Sequence, residues 1–88
     1  MMDLRAEATR LFHLAVAAAD PGRAVLRAFQ SSPPSAPVGG GSWFLIAVGK
    51  AAIPMTEAAL AHLSGAPVRA LVVTNYENAR PVTGARVM

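Results

Sequence analysis

The segment whose residue types and position best suit chemistry is Gly49-Lys50-Ala51, directly after the apolar run Trp43-Phe44-Leu45-Ile46-Ala47-Val48. A glycine lets the backbone turn sharply and approach a ligand closely. A helix opening at about Ala51 would offer free N–H groups and the positive end of its dipole to an anion. Lys50 adds a movable ammonium at the same spot. It is the sole lysine, the other seven basic residues being Arg5, Arg10, Arg23, Arg27, Arg69, Arg80 and Arg86. Together these groups suit a phosphate or a carboxylate, and in phosphoryl transfer such a charge offsets that on the transferring group. The plain alternative is that Gly49 merely ends a strand and Lys50 points into water. The residues by themselves leave both readings open.

Two well-known phosphate motifs fail on inspection. A Walker A loop needs glycine five residues before the Gly-Lys pair and Ser or Thr after it, where this chain has Phe44 and Ala51. A dinucleotide fingerprint needs three glycines and the turn has one, which disfavours nicotinamide binding. Other candidates have simpler explanations. His13 and His62 lie on the polar sides of predicted helices, as solvated histidines do. Arg23 and Arg27, one helical turn apart, suit an anion but suit a solvated face better. Asn75, Tyr76 and Glu77 follow a predicted strand at its carboxyl end, where a connecting loop is the simpler reading.

The elements that must position Lys50 follow from periodicity. Leu4, Ala8, Leu11, Phe12 and Ala15 share one face of a helix over Asp3 to Ala19. Asp20-Pro21-Gly22 then stops that helix and starts another, with Asp20 as cap and Pro21 in the first turn. The second helix carries Val25, Leu26 and Phe29 on one side and ends near Gln30. Ser31 to Ser42 holds three prolines and three glycines, which predicts a mobile surface loop without regular structure. The run from Trp43 to Val48 is continuous rather than alternating, as in a parallel strand covered on both faces. From Ala51 to about Ser64 the period is helical, with Ala52, Met55, Ala59, Leu60 and Leu63 in register. Pro54 is tolerated in the first turn, and Gly65 stands as the C′ residue. Phe12, Phe29 and Met55 read as core. Arg69 to Thr74 is a second strand, giving a right-handed βαβ unit, and Ala85 to Met88 shows faint strand character. The fold class is therefore α/β: N-terminal helices plus a parallel βαβ unit, the opening part of a Rossmann-like doubly wound domain.

Composition bounds the rest. Apolar residues make up 53% and charged residues 15%, which excludes general disorder. There is no cysteine for a disulfide or a thiolate ligand, and two distant histidines without nearby carboxylates argue against a structural metal. The net charge of +3 is scattered, with no basic run and no interleaved aromatics, so no nucleic-acid partner is expected. Met1-Met2-Asp3-Leu4-Arg5 does not resemble a signal peptide, and no apolar run approaches the roughly 20 residues of a membrane span. A cytoplasmic location with no membrane partner is expected. Residues 1–88 form one partial domain, and its open sheet edges and apolar faces predict self-association with a second copy.

In order along the chain, Leu11-Phe12, Ala15-Val16, Ala18-Ala19-Asp20-Pro21, Ala24-Val25, Gly49-Lys50-Ala51-Ala52 with Met55, and Leu71-Val72-Val73-Thr74 resemble the start of the bacterial glycerate 2-kinase family. Its members are often labelled hydroxypyruvate reductases of the tartrate-utilisation type and are several times longer than this chain. The resemblance implies a two-domain α/β enzyme that phosphorylates D-glycerate at its 2-hydroxyl with ATP and Mg²⁺. It places the family's active-site lysine on Lys50, with Gly49 and Ala51 beside it in the substrate or phosphate site. The rest of the first domain and the whole second domain would then lie outside these residues, leaving this piece inactive alone. The alternatives are a hydroxypyruvate reductase and a non-catalytic anion or sugar-phosphate-binding module.

Overall fold

The computed structural model describes residues 3–88. Helix α1 spans Leu4–Ala18, helix α2 Pro21–Ser31, strand β1 Trp43–Val48, helix α3 Ala52–His62, strand β2 Val68–Val73 and strand β3 Ala85–Val87. A 3-10 turn, Tyr76–Asn78, lies between β2 and β3. The sheet order is β1-β2-β3 with both pairings parallel, Trp43 facing Val68 and Ala70 facing Ala85. The α/β class and the adjacent parallel strands joined through a helix are as the sequence predicts. No helix among the described residues is long and apolar enough to cross a membrane.

The helix starts follow their capping chemistry. The Asp3 carboxylate accepts from the Arg5 and Ala6 N–H groups at 3.0 and 3.3 Å, and the Asp20 carboxylate from the Arg23 N–H at 2.9 Å. Pro21 sits in the first turn of α2, and Pro54 in that of α3. Helix α3 ends at His62, two residues short of the expected Ser64. Leu63 closes it with an N–H to the Ala59 carbonyl at 2.9 Å, so Gly65 stands one place beyond C′. Ser32 to Ser42 contains no helix or strand.

The core is small and one-sided. Ala52, Ile53, Val72 and Val82 are buried together, with Ala47, Leu60, Ala85 and Val87 against them. Helix α3 buries Ala52, Ile53, Thr56 and Ala59, a stripe rotated from the expected one, because Ile53 rather than Met55 meets the sheet. Met55 is 39% exposed and Phe12 is 64% exposed, so neither is core. Phe12 stays out because α1 buries none of its residues. Helix α2 packs on α3 instead, with Val25, Leu26 and Phe29 half-buried. Gly22 faces α3 at this contact, where a Cβ would lie 3.6 Å from the Pro54 carbonyl and 3.7 Å from the Ala58 Cβ, ordinary packing distances.

The run of β1 has the apolar content of a strand covered on both faces, but within these residues one face is covered, in keeping with the open apolar faces expected of a partial domain. Burial along β1 alternates residue by residue, with Trp43, Leu45 and Ala47 turned toward the helices and Phe44, Ile46 and Val48 left open. Within this chain both packed helices lie on one side of the sheet, so a strand with two apolar faces finds cover for only one.

Candidate functional site

In a parallel sheet the carboxyl ends of the strands converge on one edge, and ligands bind there. The three strand ends here are tied together by backbone bonds. The Gly49 N–H donates to the Val73 carbonyl at 2.9 Å, the Met88 N–H to Val72 at 2.8 Å, and the Thr74 N–H to Met88 at 3.5 Å. Lys50 therefore emerges on the same edge as the segment Thr74 to Asn78.

Gly49 has φ +121°, a backbone conformation that side chains disfavour, and nothing lies within 4 Å of where its Cβ would be. The open space over Gly49 is what a close-approaching ligand requires. Helix α3 starts at Ala52 with Ala51 as its N-cap residue, and no side chain caps it. The Ala52 N–H donates to the Gly49 carbonyl at 3.2 Å and the Met55 N–H to Ala51 at 3.2 Å, whereas the N–H groups of Lys50, Ala51 and Ile53 have no acceptor among the described residues. Pro54 has no N–H to offer. Helices α1 and α2, by contrast, both carry a capping aspartate. The sequence signal for these free donors is the absence of Ser, Thr, Asp or Asn ahead of Ala-Ala-Ile-Pro. Gly49 and Lys50 are exposed and Ala51 half-buried, and among the described residues Lys50 takes part in no ion pair. A cavity at this edge is lined by Val73, Thr74, Tyr76, Ala79 and Met88, and not by Lys50.

The other candidate residues do not join this group. Asn75 accepts from the Asn78 side chain at 2.6 Å and from the Thr74 hydroxyl at 3.4 Å, so its carboxamide shapes the turn. Tyr76 is fully exposed, and Glu77 lies in the first turn of the 3-10 segment. His62 lies at the far end of α3 with Nδ1 2.8 Å from the Ala58 carbonyl, beside Trp43 and Ser64. His13 packs edge-on against Phe12 on α1. The Arg27 guanidinium donates to the Ala18 carbonyl at 3.4 Å, across the junction of α1 and α2, which leaves Arg23 without a partner in an anion grip.

Two features were not anticipated from the sequence. Arg80 makes a two-point ion pair with Glu57, at 3.1 and 2.6 Å, tying the segment before β3 to α3. The guanidinium holds the Glu57 carboxyl below the usual carboxylate range, and the carboxylate raises Arg80. Thr56, only 1% exposed, has a hydroxyl with no partner. Among the described residues, no three His, Cys, Asp or Glu side chains come together as a metal site.

No curated protein and no solved structure matches the chain. One family does, described as a domain of unknown function, DUF4147, and the match runs over residues 7–88. Because it takes in nearly the whole chain, including the strand, turn and helix around Lys50, this protein belongs to the DUF4147 family.

Proposed function

We propose that this chain is the N-terminal part of a glycerate 2-kinase, in which the Gly49-Lys50-Ala51 turn holds an anionic group of the substrate or of ATP. The observation that carries the reading is the uncapped start of α3. Among the described residues the N–H groups of Lys50, Ala51 and Ile53 find no acceptor and Lys50 forms no ion pair, at the carboxyl edge of the sheet beside a glycine with open space. This donor set fits the oxygens of one carboxylate or phosphate. Lys50 would act as a point charge, and the N–H groups of Lys50 and Ala51 would orient the bound oxygens.

The residues fit Mg²⁺ less well. No cluster of ligating side chains exists among the described residues, so no step through the metal is assigned to this chain. The reductase alternative gains nothing from the turn, which offers a single glycine and one positive side chain.

Two measurements test the reading. Titrating the 88-residue chain with inorganic phosphate and with D-glycerate should move the amide resonances of Gly49, Lys50 and Ala51, and Lys50→Met should weaken that response. In a full-length protein opening with this segment, Lys50→Met should lower ATP-dependent turnover of D-glycerate by roughly 10² to 10³. Its melting temperature should hardly change, since an exposed lysine contributes little to stability. Turnover within a few-fold of wild type overturns the kinase role. Anion binding without any ATP-dependent product identifies the non-catalytic module instead, and a large fall in melting temperature makes Lys50 structural.

A further inference from the structure

The connection from β2 to β3 departs from the usual joint between parallel strands, which is a helix. Residues 74–84 carry only the 3-10 turn Tyr76–Asn78, and none of residues 74–81 is buried. Val82, 8% exposed, is the first to reach the core. Up to that point the connection is held by polar bonds rather than by burial.

Those bonds are of two kinds. Within the turn, the Asn78 side chain donates to the Asn75 carboxamide oxygen at 2.6 Å, the Asn78 N–H to the Asn75 carbonyl at 3.2 Å and the Ala79 N–H to the Tyr76 carbonyl at 3.3 Å. The turn is thus closed on itself and moves as one piece. Among the described residues, the side-chain bonds that tie it to another element are the two from Arg80 to Glu57 of α3, at 3.1 and 2.6 Å.

At its other end, the Gly49 N–H on the Val73 carbonyl, at 2.9 Å, joins the end of β2 to the turn that carries Lys50. Lys50 leads directly into α3, and Glu57 stands in the second turn of that helix, roughly 7.5 Å along its axis from Ala52. The Lys50 turn, α3 and the start of the β2–β3 connection therefore form a ring, closed by Gly49 on Val73 at one end and by Arg80 on Glu57 at the other. We propose that Glu57 and Arg80 are positioning residues for the anion site at Lys50, their pair holding the Thr74–Asn78 turn at a fixed separation from the Lys50 turn across the carboxyl edge of the sheet. This rests on the reading of Gly49-Lys50-Ala51 as an anion site. Neither residue touches the anion; the pair limits how far the two turns spread, so that the anion meets Lys50 in a cleft already formed.

The two charges supply the discriminating test. Glu57→Gln removes a negative charge and Arg80→Gln a positive one, so a pure field effect would tighten anion binding in the first variant and weaken it in the second. Loss of positioning weakens both. The 88-residue chain, each variant, and the exchanged double variant Glu57→Arg with Arg80→Glu are titrated with inorganic phosphate at constant ionic strength, following the Gly49, Lys50 and Ala51 amide resonances. Because an exposed ion pair is weak, each single variant should bind roughly 2- to 5-fold less tightly, and the exchanged pair should recover most of the loss. The Tyr76 and Glu77 amide resonances should move in the single variants before any phosphate is added. Both side chains are about half exposed, and an unchanged circular dichroism spectrum confirms folding. Opposite changes in the two single variants, or unchanged affinity in both, overturn the positioning role and leave the anion site standing. A wild type whose Gly49, Lys50 and Ala51 resonances ignore phosphate overturns the anion site itself, and the positioning role with it.

Discussion

The two faces of the three-stranded sheet are built from the same kinds of residue and meet opposite fates. On one, Val72 is 0% exposed and sits among Ala52, Ile53 and Val82. On the other, Val48 is 72% exposed and Phe44 65%. Valine, isoleucine and phenylalanine carry the same transfer free energy wherever they lie. What separates the faces is the crossover helix, which must lie on one side of the strands it joins. The apolar content of a strand records what the strand can bury, and the connections decide what it does bury.

The largest effect expected from this difference is a paired truncation. Ile53→Ala removes buried atoms and leaves a cavity, for an expected loss of about 2–4 kcal/mol in urea unfolding at low protein concentration. That is a large share of what so small a domain has. Ile46→Ala on the bare face should cost less than about 0.5 kcal/mol under the same conditions. Its cost should grow with protein concentration if a second copy covers that face. Equal losses for the two variants at low concentration would mean that the open face is packed within one chain.

A smaller effect, of opposite sign, is expected within the covered side. The Thr56 hydroxyl is buried on α3 without a partner, near Val25 and Phe29 of α2 and Leu45 of β1. Burying an unpaired hydroxyl costs about 1–3 kcal/mol. Valine keeps the shape and drops the polar atom, so Thr56→Val should raise stability by about 1 kcal/mol. A loss on thermal melting would show that the hydroxyl has a bonding role.

The sequence made some of this legible and hid the rest for physical reasons. Strand, turn and helix around Lys50 were readable because apolar runs, a glycine and a change of period are local signals. The free donors at the start of α3 were readable too, from the missing cap. Phe12 and Met55 were misassigned because helical spacing tells which residues share a face and not whether anything covers it. A continuous apolar run looks alike with one cover or two, so the open side of β1 was legible only from the topology, a βαβ unit with helices on one side leaving an apolar face open. The Glu57–Arg80 pair joins residues 23 positions apart, and no local pattern announces such a partner.

That pair gives the smallest effect, and its sign follows from the shifts. Glu57 has its carboxyl lowered by the Arg80 hydrogen bonds, so its contribution is present above the unfolded carboxylate value, about 4.3. It is lost as pH falls through the lower folded value. Arg80 is raised, so its contribution is fully present below the unfolded arginine value and changes only at extreme alkalinity. Stability against pH should therefore be flat near neutrality and fall in acid, and Glu57→Gln should make the acid limb shallower. Both side chains are about half exposed, so salt should screen the difference. The pair fastens the segment before β3 to the helix on the covered face, and among the described residues Arg69 and Arg86 on the open face form no such pair. Glu7, lowered in the same direction by Arg10 within α1, adds to the acid limb, so unfolding followed over the acid range for wild type, Glu57→Gln and Glu7→Gln apportions the response between the two pairs. An acid limb that Glu57→Gln leaves unchanged would show that the contact between α3 and the segment before β3 does not carry it.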